Sequence, residues 1–130
     1  MIIDSSAVLA ILLGEEDGPA FAKAIGTADI CRMSAVNWLE TAIRIDLGGD
    51  PIASNAFDDF VREAHVMIEP VDLEQVQTAR RAYAAYGKGR SPAKLNLGDC
   101  FAYALAKTRA EPLLFKGNDF SRTDVTAALS

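Results

Sequence analysis

Four short runs, Met1-Ile2-Ile3, Ile30-Cys31-Arg32-Met33, Val66-Met67-Ile68 and Pro112-Leu113-Leu114-Phe115, are mainly apolar and are separated by stretches long enough for one or two helices each. Runs of three or four residues are too short for helices and suit buried strands. Strands separated by helices pair in parallel, and their crossovers cover the faces of the sheet. The pattern therefore predicts an α/β fold with a central parallel sheet sandwiched between helices. In such folds, sites form outside the carboxyl ends of the strands, so the residues just after each run carry the most interest.

The intervening segments carry helix punctuation. Ser5 or Ser6 is the expected cap of a first helix that Gly14 closes, and Pro19 opens a second through Phe21, Ala24 and Ile25. Ser34 caps a long helix from Ala35 to Leu47, with an apolar stripe of Val36, Leu39, Ile43 and Leu47, stopped by Gly48-Gly49. Asp50-Pro51 opens the next, which carries Ala53, Ala56, Phe57, Phe60, Val61 and Ala64. Asp72 caps a helix with Leu73, Val76, Ala79, Tyr83 and Tyr86, ended by Gly87. Lys88 to Lys94 form a basic loop, and the helix from Leu97 to Arg109 is apolar almost all round, as buried helices are. No repeat or linker interrupts the series, so residues 1–130 read as a single domain.

Composition narrows the function classes. Cys31 and Cys100 have no CxxC neighbour and no clustered histidines, which argues against a zinc site or a disulfide framework. Buried free thiols in a reducing cytoplasm are the expectation. There is no basic start or small-residue cleavage site, and the stretch Ala7–Leu13 is too short to span a bilayer, so no membrane association is expected. A net charge of -5 does not favour gripping polyanions by bulk attraction. The objection weakens if several acids are metal ligands, because two divalent cations would nearly cancel it.

Four carboxylates occupy suggestive positions. Asp4 directly follows the first strand, where a plain helix cap is an equally good explanation. Asp119 follows the fourth in a Gly-Asn-Asp turn, where Asp is also common for local reasons. Glu40 falls at the edge of the apolar stripe of its helix, where a carboxylate costs several kcal/mol unless paired or metal-bound. Its ordinary alternative is a surface pair with Arg44, one turn on. Asp99 opens the buried helix, favoured there by the helix dipole whether or not it binds anything. Together, three or four acids at the strand ends would suit a hard cation such as Mg²⁺, which takes carboxylates, waters and substrate phosphates. The cation would relieve their repulsion, and a water it binds becomes nucleophilic near neutral pH.

Other chemistries fit less well. His65 is the only histidine and falls at a helix end, so it supports neither a zinc site nor a Ser-His-Asp triad. No glycine-rich phosphate loop is present. A receiver-type regulatory module needs an acceptor aspartate after the third strand, where this chain has Glu69-Pro70. A phosphatase Asp-x-Asp pair is disfavoured by Ser5 and Ser6. Lys88, Arg90 and Lys94 are either a solvated loop or contacts to RNA phosphates.

Four segments carry a family resemblance: the opening MIIDSSAVLAIL, Ser34-Ala35-Val36-Asn37-Trp38-Leu39-Glu40, Asn96-Leu97-Gly98-Asp99-Cys100-Phe101-Ala102-Tyr103-Ala104-Leu105-Ala106, and Leu114-Phe115-Lys116-Gly117-Asn118-Asp119-Phe120. In this order they resemble PIN-domain proteins and, among those, the VapC toxins of bacterial type II toxin–antitoxin pairs. The resemblance spans essentially the whole chain. It implies a three-layer α/β/α sandwich and Mg²⁺-dependent endoribonuclease activity, with Mn²⁺ a possible substitute. By motif it makes Asp4, Glu40 and Asp99 the core acids, with Asp4 and Asp99 as metal ligands, Asp119 the fourth acid and Ser6 a supporting hydroxyl. Many relatives carry Asn or Asp where this chain has Gly117, so one metal or two stays open. The resemblance further implies a small antitoxin and a homodimer, for which the helices Pro19–Ile25 and Ile52–Ala64 are candidate surfaces. A PIN nuclease of RNA processing, without an antitoxin, is the alternative.

Overall fold

The computed structural model describes residues 1–129. Its elements are β1 (Ile2–Ile3), α1 (Ser5–Leu12), α2 (Gly18–Thr27), β2 (Arg32–Ser34), α3 (Ala35–Asp46), α4 (Pro51–Glu63), β3 (Met67–Glu69), α5 (Leu73–Tyr86), α6 (Leu97–Arg109) and β4 (Leu113–Leu114), followed by a 3₁₀ turn at Phe120–Arg122. The strands form one parallel sheet in the order β3-β2-β1-β4, with Ile2 opposite both Arg32 and Leu113. The expected alternation of strand and helix is thus observed.

Successive residues of a strand face opposite sides, and β1 uses this to join two cores. Ile2 packs with Leu95, Cys100, Leu105 and Leu113 under α5 and α6. Ile3 packs with Val8, Phe21, Met33 and Phe57 against α1, α2 and α4. Phe21, Ile25 and Phe57, on the two helices that the sequence offered as dimer surfaces, are therefore core. The strands at positions 30–33 and 66–68 start later than expected, at Arg32 and Met67. Ile30 precedes the ladder, which starts only where β1 does: the Met1 ammonium donates to the Ile30 carbonyl and Arg32 donates its N–H to the Met1 carbonyl, each at 2.9 Å. β3 is the sheet edge, which explains its half-exposed Met67 and Ile68. Its buried Glu69 is satisfied by two arginines, Arg32 and Arg109, each at 2.9 Å.

Helix α3 corrects the expected stripe. Leu39, Ile43 and Leu47 are 52%, 50% and 80% exposed, whereas Asn37, Thr41 and Ile45 are buried. The two sets are offset by two residues, about 200° around a helix, so the apolar face points outward. Beside the buried Ile45, the inward face carries Asn37 and Thr41, and Asn37 meets α1 and the start of α6 through hydrogen bonds. Asn37 donates from Nδ2 to the Gly98 carbonyl at 3.0 Å and its own carbonyl accepts the Ser5 hydroxyl at 3.2 Å, while Thr41 donates within the helix, from Oγ1 to the Asn37 carbonyl at 2.8 Å. Helix α5 departs in part: Ala79 is buried and Tyr86 packs on the core as expected, but Leu73, Val76 and Tyr83 are exposed, and Gln75 and Ala82 are buried instead. The small residues Ala79 and Ala82 let α5 and α6 approach closely.

This reversal is directly measurable. Ile45→Ala should lower the unfolding free energy by about 2–5 kcal/mol in a urea titration. Leu47→Ala should change it by less than about 0.5 kcal/mol.

Candidate active site

The Asp4 backbone continues the central ladder, donating its N–H to the Leu114 carbonyl at 2.9 Å. The chain then turns into α1, and the cap is Asp4 itself rather than Ser5 or Ser6. Asp4 Oδ2 accepts the Ser6 N–H at 3.0 Å and the Ser6 hydroxyl at 2.6 Å. The Ser6 oxygen in turn accepts the Lys116 N–H at 2.9 Å, which ties the turn after β4 to the Asp4 carboxylate. Asp4 Oδ1 is buried with no partner. Burial pushes the Asp4 carboxyl up to about 7, against the pull of the Ser6 hydrogen bonds; the charges of Asp99 and Glu40 add to the rise.

Asp99 is the third residue of α6 and half of a capping box. It donates its N–H to Asn96 Oδ1 at 2.9 Å, and its Oδ2 accepts the Asn96 N–H at 3.0 Å. Its carboxyl lies at about 6, raised first by burial and then by the charges of Asp119 and Glu40, with the Asn96 hydrogen bond opposing. Asp4 and Asp99 are thus helix-capping acids that also share an electrostatic neighbourhood. The capping explanation and the functional one hold together.

Glu40 does not pair with Arg44, which makes no ion pair among the described residues. Instead Ser5 Oγ donates to Glu40 Oε1 at 2.6 Å, and Asn37 Nδ2 lies 3.4 Å from the same oxygen. The other flank is Gly98, where an added Cβ would sit 2.7 Å from Glu40 Cδ and closer still to Oε2. Helix α6 therefore begins against the carboxylate. In the sequence Ser5 reads only as a candidate helix cap, and Asn37 and Gly98 are not singled out. The one signal for Asn37 and Gly98 was their place inside the segments carrying Glu40 and Asp99.

Asp119 is exposed at the start of the 3₁₀ turn, makes no capping bond, and joins the others through its effect on Asp99. Lys88, Arg90 and Lys94 are exposed on the loop that leads into α6 and form no ion pair with the acids. Among the described residues, no three or more His, Cys, Asp or Glu side chains stand close enough to enclose an ion as placed. The donor set nevertheless fits a hard divalent cation: it is all carboxylate oxygen, and Asp4 Oδ1 lacks any other partner.

A family model described as PIN domain matches residues 1–125. This chain belongs to the PIN-domain family. It is 50% identical over 130 residues to ribonuclease VapC28 of Mycobacterium tuberculosis, covering 99% of this PIN domain and 98% of that protein. It is 45% identical over 127 residues to ribonuclease VapC of Mycolicibacterium smegmatis, covering 98% of each. Its fold matches the crystal structure of M. tuberculosis VapC20, a sarcin-ricin loop cleaving toxin, with TM-score 0.77 and 15% identity over 96% of this chain and 95% of that one. A toxin–antitoxin complex from Klebsiella pneumoniae matches with TM-score 0.70 and 14% identity, over 95% and 92%. The expected three-layer sandwich is thereby the fold of the PIN domain. No helix among the described residues is long and apolar enough to cross a membrane.

The Asp4 shift has a stability consequence. Its folded value, about 7, lies above the ordinary 3.8, so between these limits the folded protein holds a proton that the unfolded chain has released. The contribution is most favourable below about pH 4 and is lost as pH rises to about 7. In metal-free buffer near pH 8, Asp4→Asn should raise the melting temperature, by a gain of a few kcal/mol at most, because Asn keeps the cap without the buried charge. Near pH 4 the gain should vanish. An equal gain at both pH values would place its cause elsewhere.

Proposed function

We propose that this PIN domain is an endoribonuclease, the toxic partner of a type II toxin–antitoxin pair, acting with Mg²⁺ and accepting Mn²⁺. The observation that carries the proposal is the buried Asp4 oxygen without a partner, beside the charges of Asp99 and Glu40. Capping α1 accounts for its Oδ2 alone, and an acid whose Oδ1 is left in that state gains from a cation. The names of the similar VapC ribonucleases support RNA as substrate.

Asp4 and Asp99 would hold the ion, and Asp119 would complete its surroundings from the exposed side. A divalent cation there supplies positive charge to polarise the scissile phosphate and to acidify a water. Glu40, whose Oε1 accepts the Ser5 hydroxyl, would orient the attacking water and take its proton. Ser6 holds Asp4 in its rotamer and keeps the Asp119 turn in register through Lys116. Lys88, Arg90 and Lys94 would meet substrate phosphates where the loop enters α6.

The proposed partners are a small antitoxin, as in the complex from K. pneumoniae, and a second copy of this chain. The outward Leu39, Ile43 and Leu47 of α3, with the 78% exposed Ile52 of α4, give the homodimer an apolar surface. This replaces the faces suggested by the sequence, apart from Ile52. The free, buried Cys31 and Cys100 accord with a cytoplasmic location.

Two measurements test this reading. RNA cleavage should require Mg²⁺, stop in EDTA, and fall more than about a hundredfold in Asp99→Asn. Cleavage that survives both would end the proposal. In light scattering the wild type should have the mass of a dimer, and Ile43→Arg with Leu47→Arg should yield folded monomer.

A further inference from the structure

The cations of this chain are segregated. Residues 73–110 hold seven of the 13 Lys and Arg but only two of the 18 Asp and Glu, so the rest of the molecule is strongly acidic. Pairing sharpens the contrast. Arg32, Arg62, Lys107, Arg109 and Lys116 are all in ion pairs. Arg80, Arg81, Lys88, Arg90 and Lys94 are exposed and in none among the described residues. Arg81 touches only the Thr78 hydroxyl of its own helix, at 3.1 Å. Five of the eight cations that form no ion pair among the described residues thus fall within one helix end and the loop after it, while Lys23, Arg44 and Arg122 lie on other elements.

The fold presents them in order. Helices α5 and α6 run antiparallel: Tyr86, at the end of α5, lies 5.8 Å from Tyr103, and a cleft joins Glu74, near its start, to Lys107 and Thr108. The loop between them therefore lies at the end of α6 that carries Asp99. That loop is pinned, with Lys88 donating its N–H to the Leu95 carbonyl and Leu95 donating to the Tyr86 carbonyl, each at 2.9 Å. Ala93 and Leu95 are fully buried beneath it. Arg80 and Arg81 lie five or six residues before the end of α5, about 8 Å further from the carboxylates. With Gln77 and Ala84 they line a shallow depression of about 430 Å³.

We propose that the outer face of α5, through Arg80 and Arg81, is a second phosphate-binding segment that holds RNA remote from the scissile bond. This rests on the nuclease reading for its substrate, and it extends the contact from the loop to the helix. RNA is favoured over an acidic protein because the depression itself is lined by guanidinium groups, an amide and a methyl group; the exposed Val76, Tyr83 and Leu97 line a separate apolar cleft that shares only Arg80 with it. About 8 Å corresponds to two or three phosphates of a helical strand. Short RNA would be held by the loop alone, and longer RNA by loop and helix together.

The test is RNA binding in EDTA, read by fluorescence anisotropy over a range of salt, for wild type and the double variant Arg80→Gln, Arg81→Gln. With single-stranded RNA of about thirty nucleotides, the variant should bind roughly tenfold more weakly, and its slope of log K against log salt should fall by about 1.4. With RNA of about two or three nucleotides, too short to reach from the loop to Arg80 and Arg81, it should match wild type. Lys23→Gln, an unpaired exposed cation elsewhere, should leave the slope unchanged, and the melting temperatures should agree. An unchanged slope on the long RNA, or an equal loss on both lengths, would overturn the proposal. So would displacement of the long RNA by poly-glutamate at equal charge, which would make the face a dock for acidic protein. Arginine-dependent binding without Mg²⁺-dependent cleavage would sink the nuclease reading and leave the phosphate track standing. Cleavage with an unaltered variant would do the reverse.

Discussion

Burial of Asp4 at the end of the central strand is the constraint to which the rest of the active end is fitted. One oxygen is satisfied by capping α1 through Ser6, and the other is enclosed without a partner. Leaving a carboxylate in that state costs free energy that neighbouring acids increase. The fold does not supply an arginine or lysine to relieve it. It brings Glu40 and Asp99 close enough to raise the Asp4 carboxyl further. An arrangement that worsens its own electrostatics, within a sheet otherwise well packed, is stable only because the two cores on either side of β1 hold it together.

The architecture was legible because it rests on coarse signals. Short apolar runs, glycine stops and capping residues place the strands and helices within a residue or two, and a parallel sheet follows from their alternation. Asp4 and Asp99 were legible for the same reason, since each opens a helix at the strand ends. The faces of α3 and α5 were not. Periodicity assumes that apolar side chains point inward, yet α3 turns Asn37 and Thr41 toward α6 and α1 and leaves Leu39 and Ile43 outside. Both departures have a local cause. The inner face of α3 must carry hydrogen bonds next to Glu40, and its outer face is free to meet something else. Local rules fail where a protein serves a function, and here they fail on the helix that bears Glu40.

Ser5, Asn37 and Gly98 escaped notice for a different reason. A serine after an aspartate reads as a cap, an asparagine on a helix as surface, and a glycine before Asp99 as part of a turn. Their roles depend on Glu40, which is 35, 3 and 58 positions away in sequence. No window along the chain holds all four. Charge behaved similarly: the total of -5 conceals a basic α5 and its loop set against an acidic remainder.

The bare Cα of Gly98 separates chemistry from architecture in a way a larger residue could not. The three atoms nearest to a methyl group there all belong to the Glu40 carboxyl group, so the first clash is with a side-chain end rather than with the backbone of α3. The helices would stay docked while the glutamate lost its seat. A molecule altered in this way would keep its shape and the surfaces it shows to partners. On the role proposed for Glu40, a single methyl at the junction of α3 and α6 would silence the molecule, and such a silent copy could still occupy whatever normally restrains the active one.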